Sequence, residues 1–155
     1  MMPKDFIAAL APAAMQSMKT TKVPASFVIA EGALESAWGE SGLYKNALNM
    51  FGVKADAAWN GQTYSIQTRE FIKGTWVVVP AKWRKYPDLA GCVNDHAQFF
   101  LTNKRYRNCF AAKNGEEFAM SVAKAGYATD PQYAQKIITI MRQHNLSQYD
   151  TGAIA

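Results

Sequence analysis

The sequence changes its hydrophobic periodicity once, and this change limits the folds that the chain can adopt. Most of the chain repeats apolar residues every three or four positions, which is typical of amphipathic helices packed around one core. Between Gln62 and Val79 this pattern changes: Ile66, Thr68, Glu70 and Ile72 fall on one side of an alternating run. The Lys73-Gly74 pair follows as a turn, and Thr-Trp-Val-Val-Val at 75–79 indicates a second strand. This pattern predicts a β-hairpin. The chain is therefore predicted to be a mainly helical α+β domain with one inserted hairpin.

Length and composition indicate one domain. The chain has 155 residues, of which 49% are hydrophobic and 19% charged, an ordinary balance for a globular protein with one core. Nothing in the sequence repeats, and no linker divides it. We assign residues 1–150 to a single domain and residues 151–155 to a C-terminal tail.

Capping residues and apolar spacing predict where the helices begin and end. The first helix is expected from Pro3 to about Lys19, and the second has Pro24 in its first turn and ends near Gly39. Residues 41–60 are rich in Gly and Asn and are predicted to form an ordered loop. The last helix is predicted to begin at Asp130-Pro131.

The charge pattern restricts the partners of the chain. Its net charge of +5 and pI near 9.2 attract polyanions, including the acidic polymers of bacterial walls. The basic residues are scattered, without a basic helix or an aromatic–basic sheet motif, so we expect no nucleic-acid partner. No apolar run approaches the roughly 20 residues that cross a bilayer. Asp5 and Pro12 interrupt the apolar stretch near the N-terminus, which we interpret as a helix and not as a signal peptide. We expect a monomer that does not insert into membranes.

Cysteine and histidine residues do not suggest a metal centre or a cofactor. Cys92 and Cys109 form neither a disulfide framework nor a metal-ligand motif. A single bridge between them is possible, but neither neighbourhood suggests an activated thiol, and we predict two free thiols. His96 and His144 lack ligand spacing and are interpreted as structural or surface residues.

Glu35 is the acidic residue whose setting best suits catalysis. It follows Leu34 and precedes Trp38 on a helix that is otherwise apolar. Glycoside hydrolysis needs a carboxylic acid that keeps its proton near neutral pH and gives it to the leaving oxygen. Partial burial beside apolar and aromatic groups favours that protonated form. The alternative is that Glu35 lies on the solvated edge of an amphipathic helix.

Three motifs, in order, resemble those of one enzyme family. They are Ala-Leu-Glu-Ser-Ala-Trp-Gly at 33–39, Asn-Met-Phe-Gly-Val-Lys-Ala at 49–55, and Ala-Gly-Tyr-Ala-Thr-Asp-Pro-Gln-Tyr-Ala at 125–134. Together they resemble the bacterial endo-β-N-acetylglucosaminidase domain, glycoside hydrolase family 73, of flagellar peptidoglycan hydrolases, autolysins and phage lysins. The similarity runs from about Phe6 to His144. It implies a lysozyme-like fold in which a β-hairpin lobe borders a substrate groove.

The resemblance also implies catalytic roles. Glu35 matches the general acid of the family, although Ala37 stands where the family usually has Gly. Glu70 matches a second acid on the hairpin, and Arg69 replaces the Thr that commonly precedes that acid. Tyr127 matches a tyrosine that lines the cleft near the acid. Glu31, where relatives often carry Gln, lies one helical turn before Glu35. It either helps to keep Glu35 protonated or hydrogen-bonds a buried backbone group, and we favour the structural role.

The second half of the reaction leaves two routes open. Glu70 can activate water, or the acetamido group of the substrate can attack the anomeric carbon while Glu70 and Tyr127 orient it. The alternative for Glu70 is a cross-strand ion pair with a cation such as Lys73. The alternative for Tyr127 is a core position, with its hydroxyl bonded to backbone.

Aromatic residues near the loop and the hairpin are candidates for packing against sugar rings. Core packing is the alternative for each of them. Asn49 is a candidate to bond a substrate acetamido group or to cap its loop. The candidate substrate-binding residues are Asn49, Phe51, Trp59, Trp76 and Tyr86.

The resulting hypothesis is a peptidoglycan hydrolase that cuts the β-1,4 bond between N-acetylglucosamine and N-acetylmuramic acid. Its alternatives are a muramidase or lytic transglycosylase of the same fold, or a wall-binding module without turnover. The expected site of action is the cell wall or the periplasm. Without a convincing signal peptide, release by a holin or by a dedicated secretion system is expected.

Overall fold

Six α-helices and one two-stranded sheet make up the computed structural model, which describes residues 1–151. The α-helices are α1 Pro3–Thr21, α2 Ala25–Glu35, α3 Gly42–Ala47, α4 Leu89–Thr102, α5 Gly115–Lys124 and α6 Tyr133–Gln143. Two 3-10 helices cover Lys104–Ala111 and Leu146–Tyr149. The strands are β1 Thr63–Ile72 and β2 Thr75–Arg84. The mainly helical α+β architecture predicted from the sequence is confirmed.

Helix α2 is the centre of the core. Its residues from Ala25 to Ala33 are all buried, because α1, α5, α6 and the last 3-10 helix all pack around it. Phe27 shows the packing: its ring makes edge contacts with Phe100 of α4 at 5.8 Å and with Phe118 of α5 at 4.9 Å between centroids. A helix buried on all sides needs apolar residues on every face, and α2 has them except at Ser26 and Glu31.

The predicted end of α2 near Gly39 is wrong, because the helix ends at Glu35. The Ser36 hydroxyl donates to the Gly32 carbonyl at 2.6 Å and accepts from the Gly39 amide at 3.0 Å. Ala37 and Trp38 then adopt left-handed backbone, with φ of 51° and 58°. The hydroxyl thus satisfies a backbone carbonyl of the helix and a backbone amide of the turn. The chain turns sharply after Glu35.

Two other predicted boundaries also differ from the structure. Residues 41–60 contain the short helix α3, which begins where the Ser41 hydroxyl accepts from the Tyr44 amide. The last helix begins at Tyr133 and not at Asp130-Pro131. The Asp130 carboxylate accepts from the Gln132 amide at 2.8 Å, so this pair forms the turn that precedes α6.

The predicted hairpin is present, and β2 extends beyond Val79 to Arg84. Lys73 and Gly74 form its turn with φ of 50° and 81°, the left-handed values of a type I′ turn. The antiparallel register pairs Glu70 with Val77 and Phe71 with Trp76. Because successive residues point to opposite faces of a strand, these two pairs lie on opposite faces of the hairpin.

The base of the hairpin is fixed to the helical body by Arg84. Its guanidinium donates to both carboxylate oxygens of Asp95 on α4 at 2.9 and 2.8 Å, and its Nε donates to the Lys54 carbonyl at 3.1 Å. The ring of Trp59 lies 4.8 Å from the guanidinium carbon. The Tyr86 hydroxyl also donates to Asp95, at 2.5 Å. A planar guanidinium that donates to several acceptors at once fixes both their distances and their directions. The hairpin therefore leaves the helical body at a defined angle.

The remaining sequence predictions concern the thiols, the termini and the membrane. Cys92 and Cys109 are free, as predicted, and both are buried. Within residues 1–151 no helix is long and apolar enough to cross a membrane. Residues 152–155 of the predicted tail lie outside the described residues.

Candidate active site

Glu35 is the last residue of α2, immediately before the left-handed turn. Residues 25–33 of the helix are buried, whereas Glu35 is exposed at its end. The sharp turn of the chain at Ala37 leaves the carboxylate free to face solvent, and the buried helix behind it holds its backbone. An acid in this position is accessible to a substrate and rigidly supported, which general-acid catalysis requires.

The surroundings of Glu35 favour its protonated form. Neighbouring protein partly shields the carboxyl from water, and this desolvation raises its pKa above the ordinary value for glutamic acid. The negative charge of Glu31 raises that pKa further, whereas the nearby imidazole of His96 lowers it. The carboxyl therefore keeps its proton to a higher pH than a fully solvated glutamic acid, as the sequence hypothesis requires.

Glu31 lies one turn deeper in α2 and is fully buried, at 0% exposure. Its Oε1 lies 2.6 Å from Nε2 of His96 on α4, and its Oε2 accepts from the Tyr133 hydroxyl of α6 at 2.6 Å. The structural interpretation of Glu31 agrees with this burial. The carboxylate ties three helices together directly beneath Glu35.

Tyr127 lies in the turn between α5 and α6. Its hydroxyl is 3.2 Å from Nε2 of His96, and its ring packs against Phe100 at 5.1 Å and Tyr133 at 5.5 Å. Burial, followed by the charge of Glu31, raises the pKa of this hydroxyl, and the charge of Glu35 contributes. Tyr127 is therefore close enough to Glu35 to be affected by its charge, but its hydroxyl bonds the imidazole and not backbone.

A groove of about 470 Å³ runs beside these residues. The imidazole of His96 forms part of its wall and stacks on Phe51 at 3.9 Å between centroids with an interplanar angle of 13°. The groove continues along α4 to the base of the hairpin. Its lining residues are Phe51, Gly52, Val53, Arg84, Asp95, His96, Gln98, Phe99, Thr102 and Tyr127. Aromatic rings and a few polar groups on one concave surface suit a sugar chain.

Glu70 lies on β1, exposed, on the face of the hairpin that also carries Val77. Within residues 1–151 no ion pair joins Glu70 to Lys73 or to another cation, so the cross-strand alternative finds no support in the structure. The carboxylate is available to solvent or to a ligand. It lies on a separate lobe from Glu35, and a substrate would have to lie between the two for both to act on it.

The predicted substrate-binding residues fall into three groups. Phe51 lines the groove. Asn49 is buried and uses its side chain within the protein: it donates to the carbonyls of Val53 and Arg84 at 2.9 Å each and accepts from the Val53 amide at 3.0 Å. These bonds favour the loop-capping alternative for Asn49, because its two donors and its acceptor oxygen already hold the loop.

The other three aromatic residues lie outside the groove. Trp59 packs under Arg84 at the hairpin base and donates to the Gln62 carbonyl at 2.8 Å. Tyr86 is buried beneath Asp95. Trp76 is 60% exposed, on the face of the hairpin opposite to Glu70. These positions favour the packing alternative for Trp59 and Tyr86, and they place Trp76 away from Glu70.

Sequence reasoning missed how His96 and Tyr133 take part in the site. His96 was interpreted as structural or surface, and it is buried, but it also joins Glu31, Tyr127 and the groove. It is 65 residues from Glu31 along the chain, and Tyr133 is 102 residues from Glu31. No local motif links such positions. Within residues 1–151 no three side chains of His, Cys, Asp or Glu come together as a metal site.

A shielded acid at the end of a buried helix, beside an aromatic groove and a hairpin lobe, defines a glycosidase-type site on a lysozyme-like scaffold. Comparison with protein families agrees. Residues 11–146 match the glucosaminidase family, mannosyl-glycoprotein endo-beta-N-acetylglucosaminidase. The chain belongs to this family, and the resemblance inferred from the three motifs is confirmed.

Known proteins show the same relationship. The chain is 35% identical to peptidoglycan hydrolase FlgJ of Salmonella typhimurium over 144 residues, which are 90% of this chain and 46% of FlgJ. It is 39% identical to exo-glucosaminidase LytG of Bacillus subtilis over 130 residues, 81% of this chain and 45% of LytG. The chain thus spans less than half the length of these relatives.

A solved structure confirms the fold. The C-terminally truncated glycoside hydrolase domain of Salmonella typhimurium FlgJ superimposes with a TM-score of 0.82 at 35% identity. The match covers 92% of this chain and 97% of that domain. The chain therefore corresponds to the glycoside hydrolase domain of such proteins.

Proposed function

We propose that this chain is a peptidoglycan hydrolase that acts as an endo-β-N-acetylglucosaminidase. It cleaves the β-1,4 bond between N-acetylglucosamine and N-acetylmuramic acid, and Glu35 is the general acid. The observation that supports this most strongly is the setting of Glu35, which is exposed at the end of a buried helix and has a raised pKa. Glu35 is not itself part of the groove wall, but the imidazole of His96, which is, lies close enough to affect its pKa. Membership of the glucosaminidase family and the names of its peptidoglycan-hydrolase relatives support the substrate.

Glu35 performs the bond-breaking step. Its carboxylic acid donates the proton to the glycosidic oxygen as the bond to the anomeric carbon breaks, and the sugar develops oxocarbenium character. The raised pKa keeps that proton available to a higher pH than in a solvated glutamic acid. Aromatic side chains of the groove, Phe51 and Phe99 among them, pack against the apolar faces of the sugar rings.

Two routes complete the hydrolysis. In the first, Glu70 takes a proton from water as the water oxygen attacks the anomeric carbon. In the second, the acetamido oxygen of the substrate attacks first, and water opens the resulting ring. The exposure of Glu70 on a separate lobe is compatible with both routes. NMR of the first anomer released separates them: inversion supports water attack, and retention supports acetamido participation.

Mass spectrometry of digested peptidoglycan tests the bond specificity. The proposal requires new reducing N-acetylglucosamine ends within the glycan strands. Reducing muramic ends would show a muramidase, and anhydro-muramic ends would show a lytic transglycosylase. Release of single sugars from strand ends would instead match the exo activity in the name of LytG. Binding to walls without any cleavage would show a non-catalytic module.

Substitution of Glu35 tests the assignment of the acid. Glu35→Gln keeps the size of the side chain but has no proton to donate, so turnover should fall by about 10²–10⁴-fold with the fold intact. Glu40→Gln is the matched control, because Glu40 is an exposed carboxylate that pairs with Lys45 on the surface. Its turnover should stay close to wild type. Equal activity of wild type and Glu35→Gln would remove Glu35 from the chemistry.

We also propose where the protein acts. A peptidoglycan hydrolase acts on the cell wall, reached from outside the cell or from the periplasm. A holin or a dedicated secretion system is the proposed route of release, and the protein is proposed to act as a monomer. Fractionation of producing cells, together with light scattering of the purified chain, tests these points.

A further inference from the structure

The buried acid Glu31 is placed to control Glu35. The two residues are one turn apart on α2, and side chains spaced by four positions lie on the same side of a helix. Glu31 is fully buried and makes two short contacts, with Nε2 of His96 and with the Tyr133 hydroxyl, both at 2.6 Å. A carboxylate fixed at both oxygens has a fixed position relative to its neighbours on the helix.

We propose that Glu31 is a positioning residue for the general acid: its buried negative charge, held by His96 and Tyr133, extends to higher pH the range in which Glu35 keeps its proton. This inference rests on the proposed function, because it assigns a role within the same site. It goes beyond the structural interpretation of Glu31 drawn from the sequence. It also assigns a role in the reaction to the buried hydrogen bonds of Glu31 with His96 and Tyr133.

The hydrogen bonds favour an ionised Glu31. The Tyr133 hydroxyl donates to Oε2, and a carboxylate is an acceptor only, so its two oxygens match two donors. Nε2 of His96 is the second donor when the carboxylate is ionised. Bonds from donors to an ionised carboxylate are short and strong, as both distances of 2.6 Å are. A buried charge with these partners acts on Glu35 with little screening by water.

The other titratable groups around Glu31 do not cancel this charge through most of the pH range. Tyr133 of α6 and Tyr127 of the turn before α6 have pKa values raised by burial and by the charge of Glu31. Both hydroxyls therefore stay neutral. Tyr106 of the 3-10 helix packs against Tyr127 at 6.0 Å between centroids. Asp95 of α4 is held by Arg84 at the far end of the groove.

Among the described residues, His96 is the facing group that opposes Glu31. Its imidazole lowers the pKa of Glu35. The charge of Glu31 has the larger effect of the two, so together they raise the pKa of Glu35.

The pH dependence of turnover tests the proposal. Glu31→Gln keeps the shape of the side chain and one acceptor oxygen, removes its charge, and puts an NH2 donor in place of the other oxygen. The basic limb of the kcat profile, which reports loss of the proton from the acid in the complex, should move down by about one pH unit. A shift of that size follows from a charge at about 6 Å in a medium of effective dielectric of a few tens. An unchanged limb in a folded variant would overturn the proposal.

Two further variants test whether the buried charge is the cause. Tyr133→Phe removes one of the two donors that favour the ionised form of Glu31, so the basic limb should move in the same direction as in Glu31→Gln and by a smaller amount. Glu116→Gln removes a surface charge of α5 that pairs with Arg142 of α6, and the basic limb should stay in place. If the limb moves as far in Glu116→Gln as in Glu31→Gln, the shift does not come from the buried charge, and the proposal is wrong.

A direct titration makes the test independent of the enzyme assay. ¹³C NMR of glutamate carboxyl groups follows Glu35, assigned by its loss in Glu35→Gln, in wild type and in Glu31→Gln. The midpoint of Glu35 should be lower in Glu31→Gln. Failure of the proposed function would leave this shift in place without sugar release. Equal midpoints would overturn the role of Glu31 even if the enzyme is active. If Glu31→Gln does not fold, the same titration of wild type should show Glu35 titrating above an exposed glutamate, and an ordinary midpoint would overturn the proposal.

Discussion

The left-handed turn after Glu35 shows how single residues define the site. Ala37 and Trp38 have φ of 51° and 58°, values at which a Cβ atom crowds the backbone and which glycine adopts freely. Trp38 gains from its position, because its indole packs against Phe6 at 5.8 Å and against His144 at 5.0 Å between centroids. Ala37 is exposed and has no comparable contact in the core. The turn that exposes Glu35 is thus held in a strained conformation at Ala37.

Replacing Ala37 with glycine should therefore stabilise the protein. Ala37→Gly relieves the strain of a left-handed alanine, and the expected gain in the free energy of unfolding is about 0.5–1 kcal/mol, reduced by the greater freedom of glycine in the unfolded chain. Urea denaturation at equilibrium measures it. Ala9→Gly, at an exposed position inside α1, is the matched control and should destabilise by about 1 kcal/mol. A loss of stability in both variants would contradict the strain at Ala37.

At this scale the sequence predicted the acid but not its support. Glu35 was predicted because the residues that identify it are contiguous, and Tyr127 because its motif is also local. The partners of Glu31 are His96 of α4 and Tyr133 of α6, which are distant from it in sequence. Only the packing of the three helices brings these side chains together, so no local motif predicts them. Asn49 was assigned to substrate as one alternative because Asn suits an acetamido group. The structure shows its amide bonded to two backbone carbonyls of the loop and the hairpin base.

The elements depend on capping groups that are distant in sequence. Helix α2 has Pro24 at its N-cap and no side-chain cap of its own. The carboxylate of Asp150, from the C-terminal end of the described chain, fills that place. It accepts from the Ser26 amide at 2.8 Å and from the Ser26 hydroxyl at 2.5 Å. A carboxylate at a helix N-terminus satisfies free amides and complements the helix dipole.

Removal of Asp150 should therefore destabilise α2 although it lies over one hundred residues away. Asp150→Ala should lower the free energy of unfolding by about 1–2 kcal/mol, the range for loss of an N-cap. Asp150→Asn keeps an acceptor for the Ser26 amide and should cost clearly less. Thermal melts of the three proteins at one pH give the order. If the alanine and asparagine variants are equally stable, the hydrogen bond to the Ser26 amide is not what stabilises α2.

Element boundaries that depend on local residues were predicted from the sequence, and a boundary that depends on a side-chain hydrogen bond was not. The start of α1 and the turn of the hairpin are encoded by local residues, Pro3 and the Lys73-Gly74 pair, and both were predicted correctly. The end of α2 depends on Ser36, whose hydroxyl bonds the Gly32 carbonyl and the Gly39 amide. Helical periodicity continues through Trp38 in sequence, so the periodic signal alone placed that end too late.

On the scale of the whole molecule, the hairpin lobe is joined to the helical body mainly through its base. Beyond Arg84 and its partners, the tip is largely exposed, with Phe71 at 61%, Trp76 at 60% and Val78 at 63%. A two-stranded sheet with two open edges is only marginally stable alone. The lobe that carries Glu70 should therefore open more easily than the body that carries Glu35, and the contacts of Arg84 should govern how often it opens.

Hydrogen exchange measured by mass spectrometry tests this division. In wild type, peptides from residues 63–79 should exchange well before peptides from α2, because opening of the hairpin leaves the core intact. Arg84→Gln removes the paired contacts with Asp95, and exchange of the hairpin should accelerate by about tenfold or more, the effect of losing charged hydrogen bonds. Exchange of α2 should stay close to wild type. Arg142→Gln, which removes a surface pair with Glu116, is the matched control and should leave the hairpin unchanged. Simultaneous exchange of hairpin and α2 in wild type would instead show one cooperative unit, in which Glu70 is held as firmly as Glu35.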